Sequence, residues 1–209
     1  MTLQVFCPKW YFQTRLSDEA IEQTKELFDE FLNNDDHFHQ PPNWSCNVQS
    51  SWQKMDESDG PWTEWLNILK PVWNEFMDEV GVMQNVEIAP NNAWANKYNP
   101  GDSQETHDHC TPSSNLSVVY FHSINDDDGA EFAFYNVEHA AYQMQGLSDT
   151  VKSPTQQTTV PKVVEGDIII FPSHYHHLVS PHRGTKTRIT FSLNFQIRPV
   201  SVPQPPQLS

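Results

Sequence analysis

Two stretches before Gly81 carry apolar positions at a helical period; beyond Gly81 the apolar positions follow a strand period. Ile21, Thr24, Leu27, Phe28, Phe31 and Leu32 fall at successive spacings of three, three, one, three and one, which predicts an amphipathic helix over Asp18–Leu32. Ser17 is placed to cap it, with Asp18 and Glu19 in the first turn where the helix dipole favours negative charge. A second apolar stripe, Trp62, Trp65, Leu66, Leu69, Val72, Trp73, Phe76 and Val80, predicts a helix over 61–80. Pro61 opens it at a position where the missing N–H is harmless, and Gly81 ends it. Pro71 inside the stripe should kink the helix or split it in two. Leu3–Phe12 and Trp44–Gln53 read as strands.

After Gly81 the segments Val86–Tyr98, Leu116–His122, Glu131–Tyr135, Thr158–Val163, Asp167–Phe171, His177–Val179 and Thr187–Ile197 read as short strands. The turn clusters NPGDSQ, INDDDG, SPTQQ, VEGD and SPHRGTK separate them. Such a run with no helical period between strands predicts a β-sandwich or barrel, so the fold class expected is mainly β with flanking helices, α+β. One domain over 1–198 is expected, with 1–85 as a buttress and 86–198 as the β core. Residues 199–209, rich in proline and with little to bury, read as a flexible tail.

Charge narrows the partners. Lys and Arg number 12 against 27 Asp and Glu, a net charge of −15, and no basic cluster offsets it. Such a chain repels phosphate backbones and anionic lipid, so neither nucleic acid nor a membrane surface is an expected partner. No apolar run approaches the roughly 18 residues that a membrane span needs, and the N-terminus lacks the pattern of a secretory leader. Cys7, Cys46 and Cys110 are far apart and form no CxxC, which points to a reducing, cytoplasmic setting.

The chemistry gathers in WANKYNPGDSQETHDHC, Trp94–Cys110. On an extended strand His107 and His109 point to one face and Asp108 to the other. Two imidazoles on one surface suit a transition metal if a third ligand arrives, and GDIIIFPSHYHHLV, Gly166–Val179, offers histidines. His37 and His39, in a polar loop, read as surface residues. Asn125–Gly129, NDDDG, reads as a solvated turn and not a calcium loop. Cys110 reads as a buried thiol turned away from the pair, and His182 and Arg183 as exposed turn residues.

From Trp94 to Phe195, about half of the chain, these segments resemble the 2-oxoglutarate/Fe(II)-dependent oxygenases, in particular prolyl-hydroxylase-like members with a double-stranded β-helix (jelly-roll, cupin-like) core. Tyr98-x-x-Gly101 resembles their lead-in to the metal ligands, LSVVYF (Leu116–Phe121) their next strand, and Gly129–Phe134 their Gly-Gly-Glu-Leu-x-Phe segment. FPSHYHHLVSPHRGTKTRITFSLNF is similar to their Phe-Pro…His…Arg-x-Ser/Thr signature. Most members carry His-x-Asp/Glu…His; this chain has His-x-His, as does an uncharacterised subset.

The resemblance implies His107, His109 and His177 as ligands of Fe(II), with His176 as the alternative if the register differs by one. It also implies Arg188 as the grip on the far carboxylate of 2-oxoglutarate, assisted by Thr190, with Ser117 and Tyr98 as further contacts and Asn96 lining the site. A planar guanidinium suits a carboxylate through paired hydrogen bonds. Three neutral ligands would leave the metal its full +2 charge toward a dianionic co-substrate. The implied function is hydroxylation of a small-molecule, amino-acid or peptide substrate by O2, with ascorbate as a reductant. The competing resemblance is to cupins, which share Gly-x5-His-x-His and include three-His dioxygenases and isomerases that do not use 2-oxoglutarate. Their glutamate after the histidines is replaced here by Ser113 and Ser114.

Overall fold

The computed structural model describes residues 9–54, 60–81, 86–124, 130–150 and 155–200. Strand β1 (Phe12–Arg15) leads into helix α1 (Asp18–Asn33), and the Ser17 hydroxyl caps it by accepting the Ala20 amide N–H at 3.2 Å. A single 3-10 turn, Asp35–His37, and the two-residue strand β2 (Gln49–Ser50) follow. The predicted second helix is two, α2 (Trp62–Ile68) and α3 (Lys70–Glu79), broken at Leu69 with Pro71 in the first turn of α3. Proline lacks the N–H of a helix interior, so the chain restarts the helix around it.

The β region contains β3 (Val86–Tyr98), β4 (Gln104–His107), β5 (Leu116–Ser123), β6 (Phe132–Tyr135), β7 (Thr158–Thr159), β8 (Asp167–Pro172), β9 (His177–Val179) and β10 (Arg188–Pro199). Helix α4 (His139–Met144) lies between β6 and β7 and buries no residue, so it left no apolar stripe to read. The strand predicted over Leu3–Phe12 is displaced: pairing starts at Phe12, where the prediction ended, and residues 1–8 lie outside the described part. Trp44–Gln53 pairs only at Gln49–Ser50, and Thr158–Val163 only at its first two residues. The NDDDG turn and residues 201–209 of the tail also lie outside the described residues.

Two antiparallel sheets result, one in the order β1-β8-β5-β10-β3-β2 and one in the order β4-β9-β6-β7. This is the mainly β, double-stranded β-helix arrangement with helices on one side. The central strands are buried on both faces, and alternation sends their residues to two separate cores. Val118, Tyr120, Ile168, Ile170, Phe191, Leu193 and Phe195 face the helices. There Phe28 lies 4.3 Å from Phe191, and Trp73 4.4 Å from Phe195, between ring centroids. Val119, Phe121, Ile169 and Phe171 face inward with Phe132 and Val179 of the small sheet. The helices therefore close the outer face of the large sheet and leave its inner face for the site. No helix among the described residues is long and apolar enough to cross a membrane.

Candidate active site

The site is built on the inner face of the large sheet and the edge of the small one. Across β5, β10 and β3 the register aligns Ser117, Asn194 and Asn92 in one row. Val119, Ser192 and Trp94 form the next row, then Phe121, Thr190 and Asn96, and at the far end Arg188 pairs with Tyr98. The period of two makes each of these rows inward-facing.

The histidines arrive from the small sheet. His107 ends β4 and lies directly opposite His177 in β9, with ring centroids 4.2 Å apart. His109 lies two residues past the end of β4, yet its amide still donates to Ser173 O at 2.9 Å, which keeps its ring beside the other two. One ligand atom from each of His107, His109 and His177 can be chosen so that all lie within 4.8 Å of one another. Asp108 is turned out of the cluster and faces His176 at 3.5 Å. His176 and His174 stand outside it, so the register places His177 and not His176 in the cluster.

Every ring has its Nδ1 occupied. His107 Nδ1 donates to Glu105 O at 2.8 Å and His177 Nδ1 to Tyr175 O at 2.9 Å, since a carbonyl can only accept. His109 Nδ1 donates to Asn194 Oδ1 at 2.9 Å. The Asn194 amide is oriented by its own Nδ2, which donates to Asn92 Oδ1 at 2.8 Å, and by the Ser117 hydroxyl at 2.7 Å. That tautomer leaves Nε2 as the free lone pair of all three rings, the pattern of metal-ligating histidines. Burial, followed by repulsion from His107, pushes His109 down to about 4. Burial also lowers His107 and, with both neighbouring imidazoles, drives His177 well below its ordinary value. The rings are therefore neutral at pH 7 and need no deprotonation to ligate. Three imidazoles on one side of a point, with an open cavity on the other, fit a divalent transition ion with positions free for co-substrate.

A narrow cavity runs from the histidines to Arg188. Val119, Phe121, Phe132 and Val179 supply apolar walls, and Asn96, Tyr98, Gln104, Thr190 and Ser192 polar ones. Arg188 is 1% exposed and donates to Ala130 O. Its guanidinium carbon sits 5.9 Å from the Tyr98 ring centroid and 5.6 Å from that of Phe121. The Tyr98 hydroxyl donates to Gln104 Oε1 at 2.7 Å; burial holds its pKa above the ordinary value, against the pull of Arg188.

The placement differs from the sequence expectation at three positions. Ser117 does not line the cavity; it sits fully buried behind His109, bonded to Asn194 and to Ser173 at 2.9 Å. Cys110 is exposed, because β4 ends at His107 and strand alternation no longer governs the side of a residue three positions on. His182 is buried, its amide donating to Asp102 O at 2.7 Å and its Nε2 to Lys186 O at 2.6 Å, so it ties the turn before β10 to the loop before β4. Asn194, Ser192 and Gln104 were missed. Continuing the parity of Arg188 and Thr190 by two and four residues would have reached Ser192 and Asn194; nothing local marks Gln104.

A β-helix with a convergent histidine cluster and a buried arginine fits a metal-dependent enzyme of the jelly-roll type, and the comparisons narrow that class. The family model described as "Putative 2OG-Fe(II) oxygenase" matches residues 92–194. No curated protein matches the chain. Among solved structures, a prolyl-4-hydroxylase of Pseudomonas putida is similar over 91% of this chain and 94% of its own, at 13% identity and TM-score 0.58. A viral collagen prolyl hydroxylase from Paramecium bursaria Chlorella virus-1, in complex with 2-oxoglutarate, covers 90% and 96% at 14% identity and TM-score 0.54. HygX from Streptomyces hygroscopicus, with nickel and 2-oxoglutarate bound, covers 90% and 82% at 10% identity and TM-score 0.58. At such identities these structures share the fold. Over residues 92–194 the chain carries the pattern of the 2-oxoglutarate/Fe(II)-dependent oxygenases, enzymes that take iron as cofactor and 2-oxoglutarate as co-substrate.

Proposed function

We propose that this protein hydroxylates a C–H bond of a small-molecule, amino-acid or peptide substrate, with residues 86–198 as the catalytic core and 1–85 as its buttress. The observation that carries the reading is the convergence of three neutral imidazoles, each with Nδ1 engaged, at one end of a cavity that holds a buried arginine at the other. His107, His109 and His177 hold the iron through Nε2. When bound, iron and 2-oxoglutarate supply the oxidising power, O2 being consumed as 2-oxoglutarate leaves as succinate and CO2 and the substrate gains a hydroxyl.

This chain's own residues bind and orient. Arg188 neutralises the far carboxylate of the co-substrate, and Thr190 and Tyr98 offer hydroxyls beside it. The apolar walls Val119, Phe121, Phe132 and Val179 exclude water from the co-substrate's methylenes. Asn194, steadied by Ser117 and Asn92, fixes the His109 tautomer and ring. No general acid or base is required of the protein.

Succinate formation from 2-oxoglutarate tests the reading, with Fe(II), ascorbate and no primary substrate. Thermal stabilisation by N-oxalylglycine in the presence of Mn(II) is its companion. Slow succinate release with stabilisation is the expected result. A metal-loaded protein indifferent to both would be a cupin-type enzyme without 2-oxoglutarate, and Arg188 a structural residue.

A further inference from the structure

Two neighbouring inward positions of β3 carry polar atoms that the protein leaves unused. Trp94 is 4% exposed and Asn96 2%, and both line the central cavity. Among the described residues Trp94 Nε1 and Asn96 Oδ1 have no hydrogen-bond partner. Their cross-strand neighbours, Ser192 and Thr190, carry hydroxyls, yet neither closes a bond to them. The other face of the sheet offers a contrast. Trp65 Nε1 is also unpartnered, but Trp65 is locked into the helix-facing core among Phe28, Tyr120 and Phe191, away from the cavity. A buried donor or acceptor without a partner is costly, and a pair of them in the wall of a binding cavity is retained against that cost.

The two atoms ask for opposite things. Trp94 Nε1–H is a donor only, and its ring stands 5.4 Å from that of His109. Asn96 Oδ1 is an acceptor one row nearer Arg188. The 2-oxoglutarate dianion has five oxygens and no N–H or O–H, so it can satisfy Trp94 and cannot satisfy Asn96 Oδ1. We propose that Trp94 and Asn96 are a hydrogen-bonding pair kept open for ligands. Trp94 Nε1–H serves an oxygen of the bound co-substrate. Asn96 Oδ1 serves an N–H or O–H of the primary substrate, which is therefore a donor-bearing molecule: an amide, amine or alcohol. The inference rests on the functional reading above and deepens it to a substrate class.

The test uses the full chain and three conditions: chelator, Mn(II) alone, and Mn(II) with 2-oxoglutarate under anaerobic conditions. Thermal midpoints and affinities are read in each. Asn96→Leu keeps the shape and deletes the unpaired carboxamide. It should raise the metal-free midpoint by about 2–4 °C, keep that gain with Mn(II), and bind 2-oxoglutarate within about twofold of the unaltered protein. Benzothienylalanine in place of Trp94 swaps the N–H for sulfur at constant ring size. It should weaken 2-oxoglutarate about tenfold or more and leave Mn(II) affinity within about twofold; Trp94→Phe should follow it.

A lower metal-free midpoint for Asn96→Leu would make Asn96 a structural residue. A gain that vanishes when Mn(II) alone is added would hand its acceptor to a metal-bound water. An equal loss of 2-oxoglutarate in both variants would give Asn96 to the co-substrate. Each of these overturns the substrate assignment. Unchanged 2-oxoglutarate affinity in the benzothienylalanine protein overturns the role of Trp94. An unaltered protein that ignores 2-oxoglutarate sinks the functional reading and the Trp94 half together, while the sign of the Asn96 midpoint still decides the other half.

Discussion

Asn194 is the residue on which the metal centre most depends without itself being a ligand. Its Oδ1 is the acceptor that turns His109 Nε2 toward the cluster, and its Nδ2 is engaged by Asn92. Asn194→Leu should lower metal affinity about 10–100-fold while the fold persists, as read by competition with a metal indicator. His107→Ala and His177→Ala should lose the metal altogether, and full occupancy in both would remove the site. Arg188 acts at the other end of the cavity. Arg188→Ala should raise the requirement for 2-oxoglutarate at least about tenfold, the scale of a lost charge-assisted hydrogen bond, with metal content unchanged in elemental measurement. Normal 2-oxoglutarate turnover in that variant would show that its burial serves packing alone.

Among the elements, the turn between β7 and β8 shows how the helical layer is fastened to the sheet. Gly166 has φ +90°, donates to Phe121 O at 2.8 Å and accepts from Leu16 N at 3.0 Å, so it joins β1, β5 and β8 at one point. A Cβ there would collide with the side chain of Ile21 on α1. Gly166→Ala combines a left-handed backbone with that collision, and should lower stability by about 1–3 kcal/mol in denaturant titration. The loss should fall on folding and spare the site, since the inner face of β8 carries none of the ligands.

For the molecule as a whole, buried histidines set the response to acid. His122 is buried against Phe191 and held down at about 4 by desolvation; His109 lies at about 4, and His107 and His177 are lowered too. Each folded-state value lies below the unfolded imidazole value of about 6.5, so the unfolded chain binds more protons across that interval. Stability is then present above pH 6.5 and lost as pH falls from about 6.5 toward 4, with His122 alone worth on the order of 3 kcal/mol. Calorimetric midpoints of the metal-free protein should fall across this window. His122→Phe should flatten part of the fall, and a midpoint independent of pH there would contradict the burial of these rings as neutral groups.

What the sequence determined is what depends on short range. The 3.6 and 2.0 periods placed α1, the split at Pro71, and β3, β5, β8, β9 and β10 to within a residue or two, because each strand's or helix's own side chains decide which face is apolar. The His-x-His spacing and the FPS…His…Arg signature named the residues that the fold gathers into one cavity. The rest needed the partner strands. Whether His176 or His177 joins the cluster depends on β9 pairing with β4 in one register, and a shift of one residue would exchange them. Ser117 could read as a cavity residue because its parity is right; only its contact with His109 Nδ1 at 3.2 Å shows that His109 stands between it and the cavity. The parity of β10 reaches Asn194, but its bonds to His109, Ser117 and Asn92, like the open polar atoms of Trp94 and Asn96, exist only once the sheets have closed.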